Sequence, residues 1–226
     1  MSTHSNSLAV LHHFADAEQQ HESATLGMWS FLATEVLLFG GLFLAYSLFR
    51  YYHHDTFVIG SYELGIKLGL TNTIVLICSS LTMALAVHAA QEGHKGKLMG
   101  FLVLTMILGA AFMGIKAIEY TEHYHHNKVP GLNFVYNSLP NGGVDATEPV
   151  FHFLYFCMTG IHALHMVVGM GLLATILYMS WKDTFSPEYS TPVEMAGLYW
   201  HFVDIVWVFL FPLLYLTGLH YKGGGH

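Results

Sequence analysis

The feature that most constrains this chain is a long run without charged residues. Residues 149 to 181 contain no Asp, Glu, Lys or Arg, which makes 33 consecutive uncharged positions. A helix needs roughly 20 apolar residues to cross the hydrocarbon core of a bilayer, so this run is long enough. The composition agrees, because 10% of the 226 residues are charged, whereas a soluble domain carries about 25%. We therefore predict an integral membrane protein.

Four further segments are apolar enough to cross a membrane. In lipid the backbone of each segment must satisfy its own hydrogen bonds, so each segment is expected to be helical. The ten-residue alternation that is typical of barrel strands is not found. We predict an all-α fold, an integral membrane bundle of five transmembrane helices in one domain. The predicted spans are residues 27–49, 68–90, 98–120, 150–180 and 196–219.

The segments outside the spans complete the predicted organisation. Residues 1–26 form an N-terminal arm, 27–220 the membrane domain and 221–226 a C-terminal tail. Residues 91–97 are few enough to make the second and third spans antiparallel neighbours. Residues 121–149 form the longest loop, whose prolines and glycines are typical of irregular structure. Lysine and arginine in the loops lean slightly against a cytoplasmic N-terminus, so charge alone does not decide the orientation.

The composition disfavours several classes of function. A net charge of −7 with only eight basic residues argues against a nucleic-acid partner. Cys78 and Cys157 lie singly in different spans, which indicates neither a disulfide framework nor a thiol redox motif. Histidine clusters outside the spans are interpreted as solvated, and no metal site is predicted. These clusters are His12-His13, His53-His54 and the segment 122–126.

Two histidines lie inside the fourth span, where polar side chains are costly and are candidates for function. His162 and His165 are three residues apart and are expected to share one helix face. Membrane haem is commonly held by two imidazoles from facing helices, and His88 and His201 could contribute. Two histidines of one helix cannot hold the same iron from both sides. Haem ligation and hydrogen bonding to a neighbouring helix or partner subunit both remain open.

Glu35 lies eight residues into the first span, among apolar neighbours. Removal from water disfavours the charged carboxylate, and no Lys or Arg of the same helix can reach it. We expect this carboxyl to be neutral unless a cation from elsewhere lies close. Two interpretations follow. Glu35 is either a protonatable group connected to proton movement or a neutral carboxyl bonded to another helix.

Two pairs of polar residues lie near span ends, each with the i, i+3 spacing of helix neighbours. His201 and Asp204 lie near the start of the fifth span, and Lys116 and Glu119 near the end of the third. Each pair is expected to form within its own helix. We interpret both as structural, because neither offers a third group that would complete a catalytic set.

Five segments, in order along the chain, resemble subunit III of the haem–copper respiratory oxidases, the cytochrome c oxidase and quinol oxidase family. They are SFLATEVLLFGG, LTNTIVLICSS, KAIEYTE, TGIHALHMVVGM and YWHFVDIVWVFLF. The resemblance covers residues 27–219, and the last two segments in combination are highly specific. The chain resembles the short five-helix bacterial form of the family.

The resemblance implies a subunit without a catalytic centre or redox cofactor of its own, with haem and copper in partner subunits I and II. His162 and His165 would then be packing and hydrogen-bonding residues. The family supports proton uptake toward the oxygen-reducing centre of subunit I and protects it from inactivation during turnover. Glu35 falls on the family's buried carboxylate and is the proton-related candidate. His201 and Asp204 fall on its WHFVD signature.

The same resemblance implies partners and a location. Subunits I and II, membrane lipids and a respiratory supercomplex are the expected partners, in the bacterial inner membrane with a cytoplasmic N-terminus. Family members hold phospholipid in a cleft, but two helices that form one wall of it in longer members are not found in this sequence. A cytochrome c oxidase is expected, although subunit II decides between cytochrome c and quinol as electron donor. The alternatives are an accessory protein of a nitric oxide reductase and a membrane cytochrome b.

Overall fold

The structure, a computed structural model, describes residues 16–130, 134–136, 147–185 and 189–218. The first fifteen residues of the predicted arm, with His12-His13, lie outside the described residues. So do Leu219, the tail 221–226, and residues 131–133 and 137–146 of the long loop.

Six α-helices make up most of the described part of the chain. Five of them are long and apolar enough to cross a membrane, which confirms the predicted five-helix bundle. The sixth, α2, is short and follows the first spanning helix. The helices are α1 Ala17–Tyr52, α2 His54–Glu63, α3 Ile66–Gln91, α4 Lys95–His125, α5 Glu148–Trp181 and α6 Thr191–Tyr215.

Helix α1 begins ten residues before the predicted span, at Ala17 rather than at residue 27. Asp16 caps it, because the Asp16 carboxylate accepts a hydrogen bond from the Gln19 backbone N–H at 2.7 Å. The helix has 36 residues, and at 1.5 Å per residue it is about 54 Å long. It therefore extends well beyond a hydrocarbon core of about 30 Å. Part of the predicted arm is thus the polar start of α1.

Helices α3 and α4 are joined by a tight turn and pack against each other along their length, as predicted. Gly93 lies in this turn with a positive φ of 74°, a conformation that glycine adopts without strain. Lys95 at the start of α4 reaches the end of α5, where it donates to the Trp181 carbonyl at 3.0 Å and pairs with Asp183, just beyond the helix, at 2.7 Å. These contacts join three helices at one end of the bundle.

Helix α6 is the most buried of the five spanning helices and α1 is the least buried. The Trp200 side chain of α6 is fully buried and donates to the Ser79 hydroxyl of α3 at 3.0 Å. Its ring lies against Gly109 of α4 and Gly169 of α5, where a Cβ atom would come within 2.9 and 3.0 Å of it. Small residues let helices approach closely. Trp200 therefore fills the space at which α3, α4 and α5 meet α6.

Candidate functional site

Glu35 of α1 lies against His165 of α5. The Glu35 Oε2 and His165 Nε2 atoms are 2.9 Å apart, and the two side chains are 15% and 14% exposed. Tyr199 of α6 donates to the His165 carbonyl at 3.0 Å. The Phe39 ring packs edge-on against the imidazole at 5.3 Å between centroids. The carboxyl is therefore bonded to another helix, at a junction that three helices build.

The hydrogen bonds of His165 limit where its protons can lie. His165 Nδ1 is 2.8 Å from the Ile161 carbonyl of the same helix, and a carbonyl only accepts, so Nδ1 carries a hydrogen. The contact between Nε2 and Glu35 must also contain a hydrogen. Either a neutral Glu35 donates to Nε2, or a doubly protonated imidazole donates to the carboxylate. In both cases the pair holds one proton between its two partners.

His162 lies in different surroundings from His165, although the two were expected to point the same way. Its imidazole is buried against the rings of Phe112 and Trp207, at 5.6 and 5.3 Å. Neither ring nitrogen has a hydrogen-bond partner among the described residues. Side chains three positions apart differ by about 60° around a helix of 3.6 residues per turn. That angle is sufficient to direct one imidazole to α1 and the other to α4 and α6.

The predicted pair of His201 and Asp204 is not formed. His201 Nδ1 bonds instead to the Ser80 hydroxyl of α3 at 2.8 Å. Asp204 is 4% exposed, and neither carboxyl oxygen completes a hydrogen bond to a described residue, although Ser80 lies beside it. The pairing prediction was wrong because it considered one helix alone, whereas the α3 hydroxyl is the better placed partner.

The predicted pair of Lys116 and Glu119 is formed at 3.0 Å, and both residues are buried. Lys116 Nζ also donates to the hydroxyls of Tyr155 and Tyr215, at 3.2 and 3.0 Å. Tyr155 donates to Glu119 Oε1 at 2.6 Å, and Tyr215 donates to the same oxygen. The pair therefore forms as predicted, and two tyrosine hydroxyls that the sequence did not indicate are bonded to it. The two tyrosines come from α5 and α6, far away in sequence, so spacing along α4 could not reveal them.

Sequence reasoning also missed the partners of the other candidates. His165, Ser80 and Tyr199 contact their partners across 34 to 130 positions of sequence. His165 and Glu35 were each singled out, and the signal that could have joined them was that both are costly in lipid and each needs a partner. Among the described residues, no group of three or more His, Cys, Asp and Glu side chains could hold a metal ion.

Comparison with known proteins gives a consistent result. The family model described as cytochrome c oxidase subunit III matches residues 10–219. The chain is 29% identical to quinol oxidase subunit 3 of Bacillus subtilis (strain 168), with 92% of this chain and 96% of the relative covered. It is 30% identical to cytochrome bo(3) ubiquinol oxidase subunit 3 of Pseudomonas aeruginosa, with 94% and 99% covered.

A third relative is named as a cytochrome c oxidase protein. The chain is 31% identical to cytochrome c oxidase subunit 3 of Thermostichus vulcanus, with 88% of this chain and 90% of the relative covered. The family match includes all five spanning helices, Glu35 and His165. The chain belongs to the cytochrome c oxidase subunit III family, as a subunit III of a haem–copper terminal oxidase.

Proposed function

We propose that this chain supports proton uptake by the catalytic subunit of its oxidase, and that the Glu35–His165 pair is the group through which it does so. The observation that carries the proposal is the 2.9 Å contact between Glu35 Oε2 and His165 Nε2. Because His165 Nδ1 is committed to the Ile161 carbonyl, the proton shared with Glu35 is the exchangeable one. The pair is neutral overall while it holds this proton and carries one negative charge after releasing it, so charge in lipid is avoided only in the protonated state.

The position of the pair fits this role. The two side chains are partly exposed at the edge of the bundle, so a proton donor or acceptor outside the chain can reach them. Helix α1 presents a long apolar face that is exposed in the isolated chain, including Leu37 and Leu44. We assign this face to lipid and to partner subunits I and II, which hold the haem and copper. In a respiratory supercomplex, further partner proteins would bind to the same exposed face of α1.

The proposed orientation places the N-terminus in the cytoplasm of a bacterial inner membrane. The turn between α3 and α4 then lies on the cytoplasmic side, and the C-terminal end of α4 lies outside. As electron donor we propose cytochrome c, in keeping with the cytochrome c oxidase type that the resemblance implies, with quinol as second candidate. The second candidate is favoured by the names of the Bacillus and Pseudomonas relatives.

A bound phospholipid is also proposed, at an open cavity of about 420 Å³ between α1, α3 and α6. One end of this cavity is polar, where Gln91 donates to the Glu194 carboxylate at 3.0 Å. The walls beyond it include apolar side chains such as Val87 and Leu198. A polar end and an apolar wall match a phospholipid headgroup and its acyl chain. This cavity lies within the five-helix bundle and needs no additional N-terminal helices.

The test is the turnover of assembled oxidase that carries Glu35→Gln, measured as oxygen consumption across a pH series. The amide keeps the shape of the side chain but cannot exchange a proton with His165. Turnover should fall severalfold at high pH, where protons are scarce, and much less at low pH. Glu22→Gln, at an exposed position of the same helix, is the matched control. A Glu35→Gln curve that overlays the control at every pH, with normal subunit content, would reduce Glu35 to a structural residue.

A further inference from the structure

The cluster of Lys116, Glu119, Tyr155 and Tyr215 joins three helices and is buried on all sides but one. The Glu119 carboxylate accepts from three donors, and the Lys116 ammonium donates to three acceptors. A buried ion pair that only fastens helices together needs no route to water. Glu119, however, lines a cavity of about 370 Å³. The cluster is therefore enclosed by the protein except where Glu119 faces this cavity.

The Lys116 side of the network is sealed by aromatic rings. Its ammonium lies 5.1 Å from the Trp207 ring centroid and 5.2 to 5.8 Å from the ring centroids of Tyr120, Tyr155 and Tyr215. The faces of such rings attract a cation. Lys116 is thus held in place by rings and by Glu119. Of the two ionic partners, Glu119 is the one that lines the cavity.

The cavity, which we call the vestibule, is built mostly from one face of α4. Glu119, Glu122, His123 and His126 have the spacing i, i+3, i+4 and i+7, which places them in one stripe along a helix. Glu119 is buried, while Glu122 and His126 are exposed. The remaining lining residues are Gly65, Leu68 and Lys128. A polar stripe therefore leads from the last residues of α4 down to the buried carboxylate.

His123 connects the vestibule with the cluster. It follows Glu119 by one helical turn, is 9% exposed and lines the vestibule. Its ring also packs against the ring of Tyr155, at 5.4 Å between centroids. Imidazole can donate and accept a hydrogen bond, so it can pass a proton between water and a neighbour. His123 is therefore a lining side chain of the vestibule that also contacts the cluster.

We propose that Glu119 is a proton-exchanging site that binds protons from vestibule water at the end of the molecule where α4 ends. A hydronium ion in the vestibule gives a proton to a Glu119 oxygen, so that one O–H bond forms on the carboxyl and one O–H bond of the hydronium breaks to leave water. The reverse step returns the proton to the water. The cluster gains one positive charge in the first step and loses it in the second, and no other bond forms or breaks.

The groups around Glu119 that carry charge or a titratable proton come from three helices. Helix α4 contributes Lys116, Glu122 and His123, helix α5 contributes Tyr155 and His152, and helix α6 contributes Tyr215. Lys128, which lines the vestibule and lies outside these helices, pairs with Glu148 of α5 at 2.6 Å. Gly65 and Leu68, which precede or begin α3, contribute no titratable group. The site is separate from the Glu35–His165 pair and does not depend on the function proposed for that pair.

The test is infrared difference spectroscopy of the intact oxidase, with the pH lowered in steps in H2O and in D2O. We expect a C=O stretching band of a protonated carboxyl that grows as the pH falls and is missing in Glu119→Gln. Glu35→Gln should leave this band in place. In His123→Phe, exchange of this band from H to D should be severalfold slower, because an apolar ring replaces the imidazole that lines the vestibule beside the cluster.

The matched control is His125→Phe, on the same helix but exposed and outside the vestibule lining. Leu68→Phe narrows the vestibule without removal of a polar group and should slow exchange as His123→Phe does. If Glu119→Gln fails to assemble, the exchange rate of the carboxyl band in Leu68→Phe still tests the proposal. The proposal is overturned if no pH-dependent carboxyl band is lost in Glu119→Gln. It is overturned equally if the two vestibule variants exchange as fast as His125→Phe.

Discussion

Lys116→Met tests how much the buried Lys116–Glu119 ion pair contributes to the stability of the chain. Methionine keeps the length and apolar stem of lysine but removes the ammonium, so Glu119 keeps only its two tyrosine donors. Loss of one partner of a buried ion pair costs about 3–5 kcal/mol, because the other charge remains in a poorly solvated place. At about 2–4 °C per kcal/mol for a chain of this size, the thermal midpoint should fall by roughly 6–20 °C.

Lys95→Met provides the matched comparison at the other end of α4. The Lys95–Asp183 pair is the shorter of the two, at 2.7 Å against 3.0 Å, but its side chains are 39% and 77% exposed, against 4% and 3% for Lys116 and Glu119. Exposed ion pairs contribute about 0–1 kcal/mol, so the midpoint should fall by no more than about 4 °C. The assay is the loss of this chain from the purified oxidase on heating, followed by size-exclusion chromatography.

Two additional measurements test the cause of the loss. The double variant Lys116→Met/Glu119→Gln contains no buried charge at this position and should recover a large part of the lost stability. The deficit of Lys116→Met should shrink as the pH falls, because a protonated Glu119 no longer needs a cation. If Lys116→Met and Lys95→Met destabilise equally, the cluster is not the desolvated ion pair described here.

The remaining predictions concern orientation and packing. A cysteine placed at Asn127 should react with an impermeant thiol reagent in intact cells and one at His94 should not, and the opposite result would reverse the proposed orientation. Gly109→Leu should destabilise the chain by about 1–3 kcal/mol, because a Cβ atom there already comes within 2.9 Å of Trp200. Gly100→Leu is its control, with nothing within 4 Å of the same atom; equal thermal midpoints would contradict the close contact between Gly109 and the Trp200 ring.

The spanning helices could be predicted because charge-free runs have a direct physical meaning in lipid. Their ends could not, since Ala17 and the residues after it form a helix for local reasons, namely the Asp16 cap, that hydropathy does not detect. Helix α2 was missed for a related reason. With 10 residues it is too short to span and shows no pronounced apolar face.

The candidate site was predicted residue by residue but not as an arrangement. Glu35 and His165 were singled out because each is costly in lipid, yet 130 positions separate them and nothing local indicates that they meet. The prediction of a His201–Asp204 pair was wrong for the opposite reason. Asp204 was the local i, i+3 partner of His201, and Ser80 of another helix took that place. Contacts between helices depend on packing angles and rotation, which the pattern along one helix does not encode.

The central proposal, which follows from the family resemblance, is that this chain is a subunit without haem or copper of its own in a complex whose partners carry both. The most direct measurement is purification of the tagged chain in mild detergent, with visible spectra and metal content recorded before and after separation of the subunits. The account predicts that haem and copper co-purify with the intact complex and remain with the partner subunits, while the separated chain is colourless in the Soret region. Stoichiometric haem on the separated chain would contradict the account and restore the membrane cytochrome.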